Sequence, residues 1–316
     1  MSGARSRVRV GVLGGGGFGR GLAAAAARAK NEVTLWSRSA RELPAGVEST
    51  GELAALGGCD VIFLAVPSGY VESLSTELGR HLDGSHVLVH VSRGLVGPQL
   101  GTLSQLLRRT TPCRRVGALA GPLIAEALAS GAPSGAVVGT RFQEVAGLVR
   151  DAIASDGLRL YESADIVGVE VSSALVGLLA LAVGYGRGLG AGPASLSVVL
   201  TRGLAEARRL LPTLGGQADT LNGLAGFGDM LAVAAGDARP EVRLGEALAA
   251  GQSVEEAGRV AGAYIEGLTI GRRVAAHAER AHVDVPVARA MAQVIAGELA
   301  GEAAVRALMA RHAGRE

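Results

Sequence analysis

Lysine is almost missing from this chain. Of its 31 basic residues in 316, Lys30 is the single lysine and the others are arginines, a skew that looks like genomic base composition. Chemistry that depends on an ammonium group therefore has one residue to draw on. Cysteine is nearly as scarce. Cys59 and Cys113 are too few for a disulfide framework and have no metal-ligand neighbours. His81, His86, His277, His282 and His312 lack ligand-like spacing as well, so no metal site is expected. The net charge is only +2 and aromatics make up 3%. No arginine stripe interleaves with aromatic residues, which argues against a nucleic-acid partner. Arg108, Arg109, Arg114 and Arg115 cluster around a turn and read as a solvated loop. The N-terminal apolar run is too short for a signal peptide, and no later segment reads as a membrane span. A cytoplasmic protein without a membrane partner is expected.

What the chain does have is 48% hydrophobic residues and 48 glycines, enough for a large core, and its length suggests about two domains. The clearest local signal is Val8–Ala23, VRVGVLGGGGFGRGLA. An apolar run (Val8, Val10, Val12, Leu13) ends in Gly14, Gly16 and Gly19, and an Ala-rich helix pattern follows. Strand, glycine turn and helix start is the context that a dinucleotide-binding G-x-G-x-x-G needs. Gly14 permits the tight turn, Gly16 lets backbone approach a pyrophosphate, and Gly19 lets helix and strand pack closely. The pyrophosphate then meets the free N–H groups and positive dipole end of the helix.

After a first helix at about Phe18–Lys30, Glu32–Trp36 reads as a second strand. An NAD-preferring site usually ends this strand in a carboxylate that accepts from the ribose 2′-OH. Here the residues are Leu35-Trp36-Ser37-Arg38. Arg38 suits a 2′-phosphate, so NADP(H) is favoured and NAD(H) is the alternative; Arg38 as an ordinary surface charge is the plainer reading. Val61–Val66, Val87–Val91, Val116–Leu119, Gly135–Thr140 and Leu158–Tyr161 continue as strands between helix patterns. This alternation predicts an α/β fold, a Rossmann-type doubly wound sheet with right-handed crossovers, and ligands outside the carboxyl ends of its strands. Pro67-Ser68, Ser92-Arg93-Gly94 and Gly121-Pro122 lie at those ends. From Ala164 strand signals disappear. The expected division is a dinucleotide-binding domain over 1–163 and an all-helical substrate and dimerisation domain over 164–316, with substrate in the cleft between them.

Taken together, several segments resemble the NAD(P)-dependent glycerol-3-phosphate dehydrogenase family. They are GGGGFGRGLA at Gly14–Ala23, LWSR at Leu35–Arg38, AVPS at Ala65–Ser68 and SRGL at Ser92–Leu95. AGP and SGAPSGAVV within Ala120–Val138, DIVGVEVSSAL at Asp165–Leu175 and TRGLAEARRL at Thr201–Leu210 follow. GLAGFGDM at Gly223–Met230 and EGL at Glu266–Leu268 complete a series in the family's order. The resemblance implies reduction of dihydroxyacetone phosphate to sn-glycerol 3-phosphate with NAD(P)H. It implies cofactor contacts from Gly14, Gly16, Gly17, Phe18, Gly19, Arg38, Pro67 and Glu266, and a small-molecule substrate of the phosphate-ester type. A homodimer is also expected by resemblance.

The reaction needs a proton donor at the carbonyl oxygen and positive charge to hold that oxygen as it becomes anionic. The resemblance places a lysine after GAL in the family motif GALKN; here the run is Ser173-Ala174-Leu175-Val176-Gly177. Valine at 176 donates no proton. Arg93 stands at a second family lysine and keeps the charge, but an arginine is a poor general acid. Val233 replaces a threonine, Ala194 an asparagine, and Arg239-Pro240-Glu241 replaces Ser-Arg-Asn, where a one-residue slip would let Arg239 or Arg243 hold phosphate. Asp229, Arg202 and Glu266 match the family. Asp229 and Arg93 are thus the candidate catalytic groups, and Arg93, Arg202 and Arg239 the candidate substrate binders. For Asp229, helix capping is the alternative; for Arg202, an i,i+4 pair with Glu206. Glu170 reads equally as a cleft or domain-interface residue, and His90 as a packed histidine rather than an acid. Two functions follow: a diverged reductase with altered substrate or much reduced activity, or a catalytically inactive NADP(H)-binding sensor or partner-binding subunit.

Overall fold

Short runs such as Val61–Leu64 and Val87–His90 have no polar face to offer solvent, so each must be covered on both sides. In the computed structural model, which describes residues 7–236, 239–261, 267–301, 303, 304 and 306, they form the middle of an eight-stranded sheet. Its strands are β1 (Arg9–Leu13), β2 (Glu32–Trp36), β3 (Val47–Thr50), β4 (Val61–Leu64), β5 (Val87–His90), β8 (Val116–Ala120), β9 (Ser134–Thr140) and β10 (Leu158–Ser163). They lie in the order β10-β9-β8-β5-β4-β1-β2-β3. A two-stranded hairpin of β6 (Leu95–Val96) and β7 (Gly101–Thr102) stands apart. The intervening helices are α1 (Gly17–Arg28), α2 (Ser68–Leu78), α3 (Leu103–Thr110), α4 (Ala125–Ser130) and α5 (Gln143–Ile153).

Alternation within the strands builds two cores. Val10, Val12, Val61, Phe63, Val87 and Val89 pack with Leu22, Val145 and Val149 on one face. Leu13, Ile62, Leu64 and Leu88 pack with Val71, Leu78, Leu106 and Leu107 on the other. The chain travels from β1 to β3 in one direction, then returns to place β4 on the other side of β1. That reversal creates the crevice where open α/β sheets bind ligands.

Three features differ from the sequence expectations. β3 is an additional strand; its Val-Glu-Ser-Thr sequence is half exposed on the sheet edge, where the apolar alternation that marks a strand is not required. The sheet is mixed rather than uniformly parallel, because β8 pairs antiparallel with β9. Between them the chain turns back through α4, which packs on α1. Finally, the chain divides into one unit of residues up to Val96 plus Gly101–Glu170 and a second of Gly97–Leu100 plus Val171 onward, rather than at Ser163. The division falls inside α6 (Ile166–Gly188). Its first turn belongs to the sheet unit, where Val169 lies so close to Gly139 that a Cβ there would approach it to 2.9 Å. Gly97–Leu100 joins the second unit through a hydrogen bond from Arg280 Nη2 to the Pro98 carbonyl, 3.1 Å.

The second unit is helical among its described residues: the rest of α6, α7 (Pro193–Thr213), α8 (Asp229–Ala234), α9 (Pro240–Ala249), α10 (Val254–Ala261), α11 (Gly267–Arg280) and α12 (Pro286–Ile295). α6 is its spine. Cβ atoms built on Gly184 and Gly245 would lie 2.0 Å from the Val242 carbonyl oxygen and 2.3 Å from that of Leu181. Only glycine allows α6 and α9 to cross with backbones in contact. Contrary to the expectation that no later segment could span a membrane, α6 is long and apolar enough to do so; its apolar window is entirely buried in this fold.

Candidate functional site

The glycine loop follows β1 at the sheet's carboxyl edge. Gly14 has φ +127°, a backbone conformation that L side chains rarely adopt, and a Cβ there would lie 2.3 Å from the Ala65 carbonyl oxygen. A Cβ on Gly19 would lie 1.9 Å from the Gly14 carbonyl oxygen. These two glycines are required by the protein's own packing. Gly16 is different: a Cβ there meets nothing within 4 Å. It is the N-cap of α1 with φ −68°, its residue has no side chain to cap the helix, and the first turn carries no acid. The helix therefore begins with unsatisfied N–H donors facing open space, with Gly16 and Gly17 exposed and Phe18 half-buried beside them. That arrangement fits a dinucleotide pyrophosphate.

Three further segments join this loop. Pro67 is the N-cap of α2, two residues after Ala65, whose carbonyl borders Gly14. Ser92 Oγ donates to the Val66 carbonyl, 2.6 Å, tying the segment that carries the half-buried Arg93 to the end of β4. Beyond β2, the Arg38 guanidinium stacks over the Tyr70 ring at 5.5 Å from its centroid. Tyr70 gave no sequence signal; it lies on α2 and meets Arg38 only because β2 and β4 flank β1. The stacking holds an exposed cation in place without consuming its N–H donors.

In the helical unit, Asp229 opens α8 after a single π-helical turn, Leu224–Gly228. It does not cap that helix; the N-cap is Gly228. Asp229 is fully buried, and its Oδ1 lies 2.6 Å from Nη1 of Arg239, itself 6% exposed. Arg239 is the N-cap residue of α9, followed by Pro240 at its first position and the half-buried Glu241. Arg243 donates instead to the Ala261 carbonyl, 3.0 Å. Val176 and Val233 are both wholly buried. Arg202 and Ala194 are exposed on α7. The carboxylate offered as partner for Arg202 is engaged elsewhere: Glu206 accepts from the backbone N–H groups of Val287 and Ala288 at 2.7 and 3.1 Å. Glu266 lies outside the described residues.

Glu170 and His90 are both buried in the sheet unit. Glu170 Oε1 accepts from the Ser104 N–H at 2.8 Å and lies 2.8 Å from His90 Nε2, while Ser104 Oγ donates to Oε2 at 2.5 Å. His90 is a packed histidine whose Nε2 is committed to Glu170, so it is not placed to protonate a ligand. Lys30 lies past the far end of α1, in a left-handed turn at φ 63°, and supplies nothing to the glycine loop.

The comparisons with known proteins agree with this arrangement. A model of the NAD-dependent glycerol-3-phosphate dehydrogenase N-terminus matches residues 39–146, and one of the C-terminus matches residues 165–306. A glycerol-3-phosphate dehydrogenase (NAD(P)+) of Deinococcus radiodurans is 37% identical over 275 residues, 87% of this chain and 81% of that protein. One from Anaeromyxobacter sp. (strain K) is 34% identical over 274 residues, covering 85% and 82%. The crystal structure of glycerol-3-phosphate dehydrogenase from Coxiella burnetii superposes with a TM-score of 0.89 at 25% identity, covering 96% of this chain and 99% of that one. With an intact glycine cradle, a sheet unit and a helical unit in the same order, the chain belongs to the NAD-dependent glycerol-3-phosphate dehydrogenase family.

Proposed function

We propose that this chain binds NADP(H) in preference to NAD(H) and has a rebuilt reaction centre, so that it reduces dihydroxyacetone phosphate very slowly or acts on a different small carbonyl compound. Family membership brings NAD(P) binding. Gly14–Gly19 would hold the pyrophosphate and Arg38 a 2′-phosphate, and a dihydronicotinamide held there would supply hydride. The chain itself must supply the proton and the charge at the carbonyl oxygen.

The observation that carries the reading is the buried pair of Asp229 and Arg239. Resemblance implies a lysine partner for this aspartate, and position 176 now holds a fully buried valine. Arg239 takes over the role of counter-cation from a different helix. Arginine neutralises the aspartate but does not release a proton near neutrality. Loss of a general acid lowers rate by roughly 10²–10⁴-fold, and loss of one oxyanion donor by about 10²–10³. Arg93 and Arg202 are the remaining cations for an anionic substrate. The same ion pair favours a second reading, an inactive NADP(H)-binding sensor, in which binding persists and no small carbonyl compound is turned over.

A fluorescence titration tests the cofactor half. NADPH should bind more tightly than NADH, and Arg38→Ala should remove that preference while leaving NADH affinity unchanged. Equal affinities in the parent protein would refute the assignment of Arg38. A steady-state screen of small carbonyl compounds, phosphorylated and not, then separates a redirected reductase from a sensor.

A further inference from the structure

The arginine cluster that reads in sequence as a solvated loop is divided by the fold into three different environments. Arg109 reaches Glu72, at 3.6 Å. Arg115 shares a depression with Asp60 and Asp83. Arg108 and Arg114 instead line a cavity of about 120 Å³ together with Arg141, from a different segment. Among the described residues no carboxylate lines this cavity or pairs with these three arginines. The nearest acid in sequence, Asp165, accepts from the Gly168 N–H at 2.9 Å and is not part of the lining.

Three like charges around one cavity repel one another unless something anionic lies between them. The site is also built rather than casual. Arg114 Nη1 donates to the Arg108 carbonyl at 2.5 Å, which fixes one guanidinium beside the backbone of another. Gln105 uses its carbonyl oxygen to accept from Thr102 N–H in a capping box, leaving its NH₂ as a neutral donor. Val116, Phe142, Ile166 and Val167 form apolar walls, while the three arginines stay exposed. At ~30 Å³ per water, the volume suits several waters or one tetrahedral oxyanion replacing them. Guanidinium groups present paired N–H donors that match such an anion.

The position excludes the cradle's own ligand. β8 runs parallel to β5, β4 and β1, and Val116 is its first residue, at the edge opposite the glycine loop. Arg141 follows the last residue of β9, which runs antiparallel to β8, and so lies at that same far edge.

We propose that this cavity binds a small phosphate-type oxyanion through Arg108, Arg114 and Arg141. Ile166 and Val167 place the first turn of α6 in its wall, one turn before Glu170, so occupancy would stabilise that helix start.

The probe is inorganic phosphate, compared with chloride at matched ionic strength. In a thermal melt, millimolar phosphate should raise Tm by several degrees above the chloride control, as expected for a ligand that binds only the folded state. Arg108→Gln and Arg141→Gln alter exposed side chains and should each abolish most of that rise. Both should keep the parent's NADPH affinity, which shows that the variants are folded and that the phosphate effect did not come from the glycine loop. Phosphate no better than chloride, or variants that respond to phosphate as the parent does, would overturn the proposal.

Discussion

At the scale of single residues, glycines that look alike in sequence carry different duties. Gly14 and Gly19 hold the loop's internal packing, whereas Gly16 faces space that the protein leaves open. Gly16→Ala should therefore change stability by no more than about 1 kcal/mol and weaken NADPH binding tenfold or more. Gly19→Ala, with its Cβ 1.9 Å from a backbone oxygen, should destabilise the sheet unit itself. Thermal melts beside fluorescence titrations separate the two outcomes, and equal effects from both substitutions would count against a ligand-reserved position at Gly16. The buried Asp229–Arg239 pair makes a second prediction. Removing one partner leaves an uncompensated buried charge, so Asp229→Leu or Arg239→Met alone should cost about 3–5 kcal/mol in urea unfolding. The double change should recover most of that loss. Val176→Lys should lower stability and fail to restore activity, since position 176 is enclosed and the aspartate already has its cation.

At the scale of elements, what could be read in the sequence was what local physics dictates. The glycine turn, the apolar strands and the change to helical periodicity after the sheet are local patterns, and each appears where expected. Strand direction is not encoded in hydrophobicity, so the antiparallel β8–β9 pairing had no signal. Nor did the division inside α6, a continuous apolar helix whose first turn packs with one unit and whose remainder packs with the other. The Asp229–Arg239 pair escaped notice because it joins the starts of two helices, α8 and α9, that resemblance treats separately. α7 and α12 show a similar link. Glu206 caps α12 by accepting its first N–H groups, and burial pushes its carboxyl up to about 7 from an ordinary 4.5. Between those values the folded chain holds a proton that the unfolded chain has released, so stability should fall as pH rises across that window. At ~1.36 kcal/mol per unit, the full effect is on the order of 3 kcal/mol. Urea midpoints taken from pH 4.5 to 7.5 should show this decline, and Glu206→Gln should flatten it. A parent profile that rises over the same range would contradict it.

At the scale of the whole molecule, the chain keeps the sheet unit and helical unit of its family. The glycine cradle keeps every residue its packing requires and leaves a helix N-terminus open to an anion. In the helical unit, position 176 is a fully buried valine, and the buried Asp229 pairs with Arg239. Lys30, the single lysine of the sequence, lies past the far end of α1. On the function proposed above, cofactor binding and carbonyl reduction, which the family couples, would be separable properties in this chain.

A stopped-flow single turnover tests that separation most directly. Protein preloaded with NADPH is mixed with excess dihydroxyacetone phosphate, and the loss of bound NADPH fluorescence is followed. This isolates the chemical step from product release. The account predicts saturable NADPH binding followed by oxidation about 10²–10⁴-fold slower than ordinary enzyme turnover of 1–10³ s⁻¹. Full-amplitude oxidation faster than about 10 s⁻¹ would contradict it, and would show that proton delivery does not depend on a lysine at position 176.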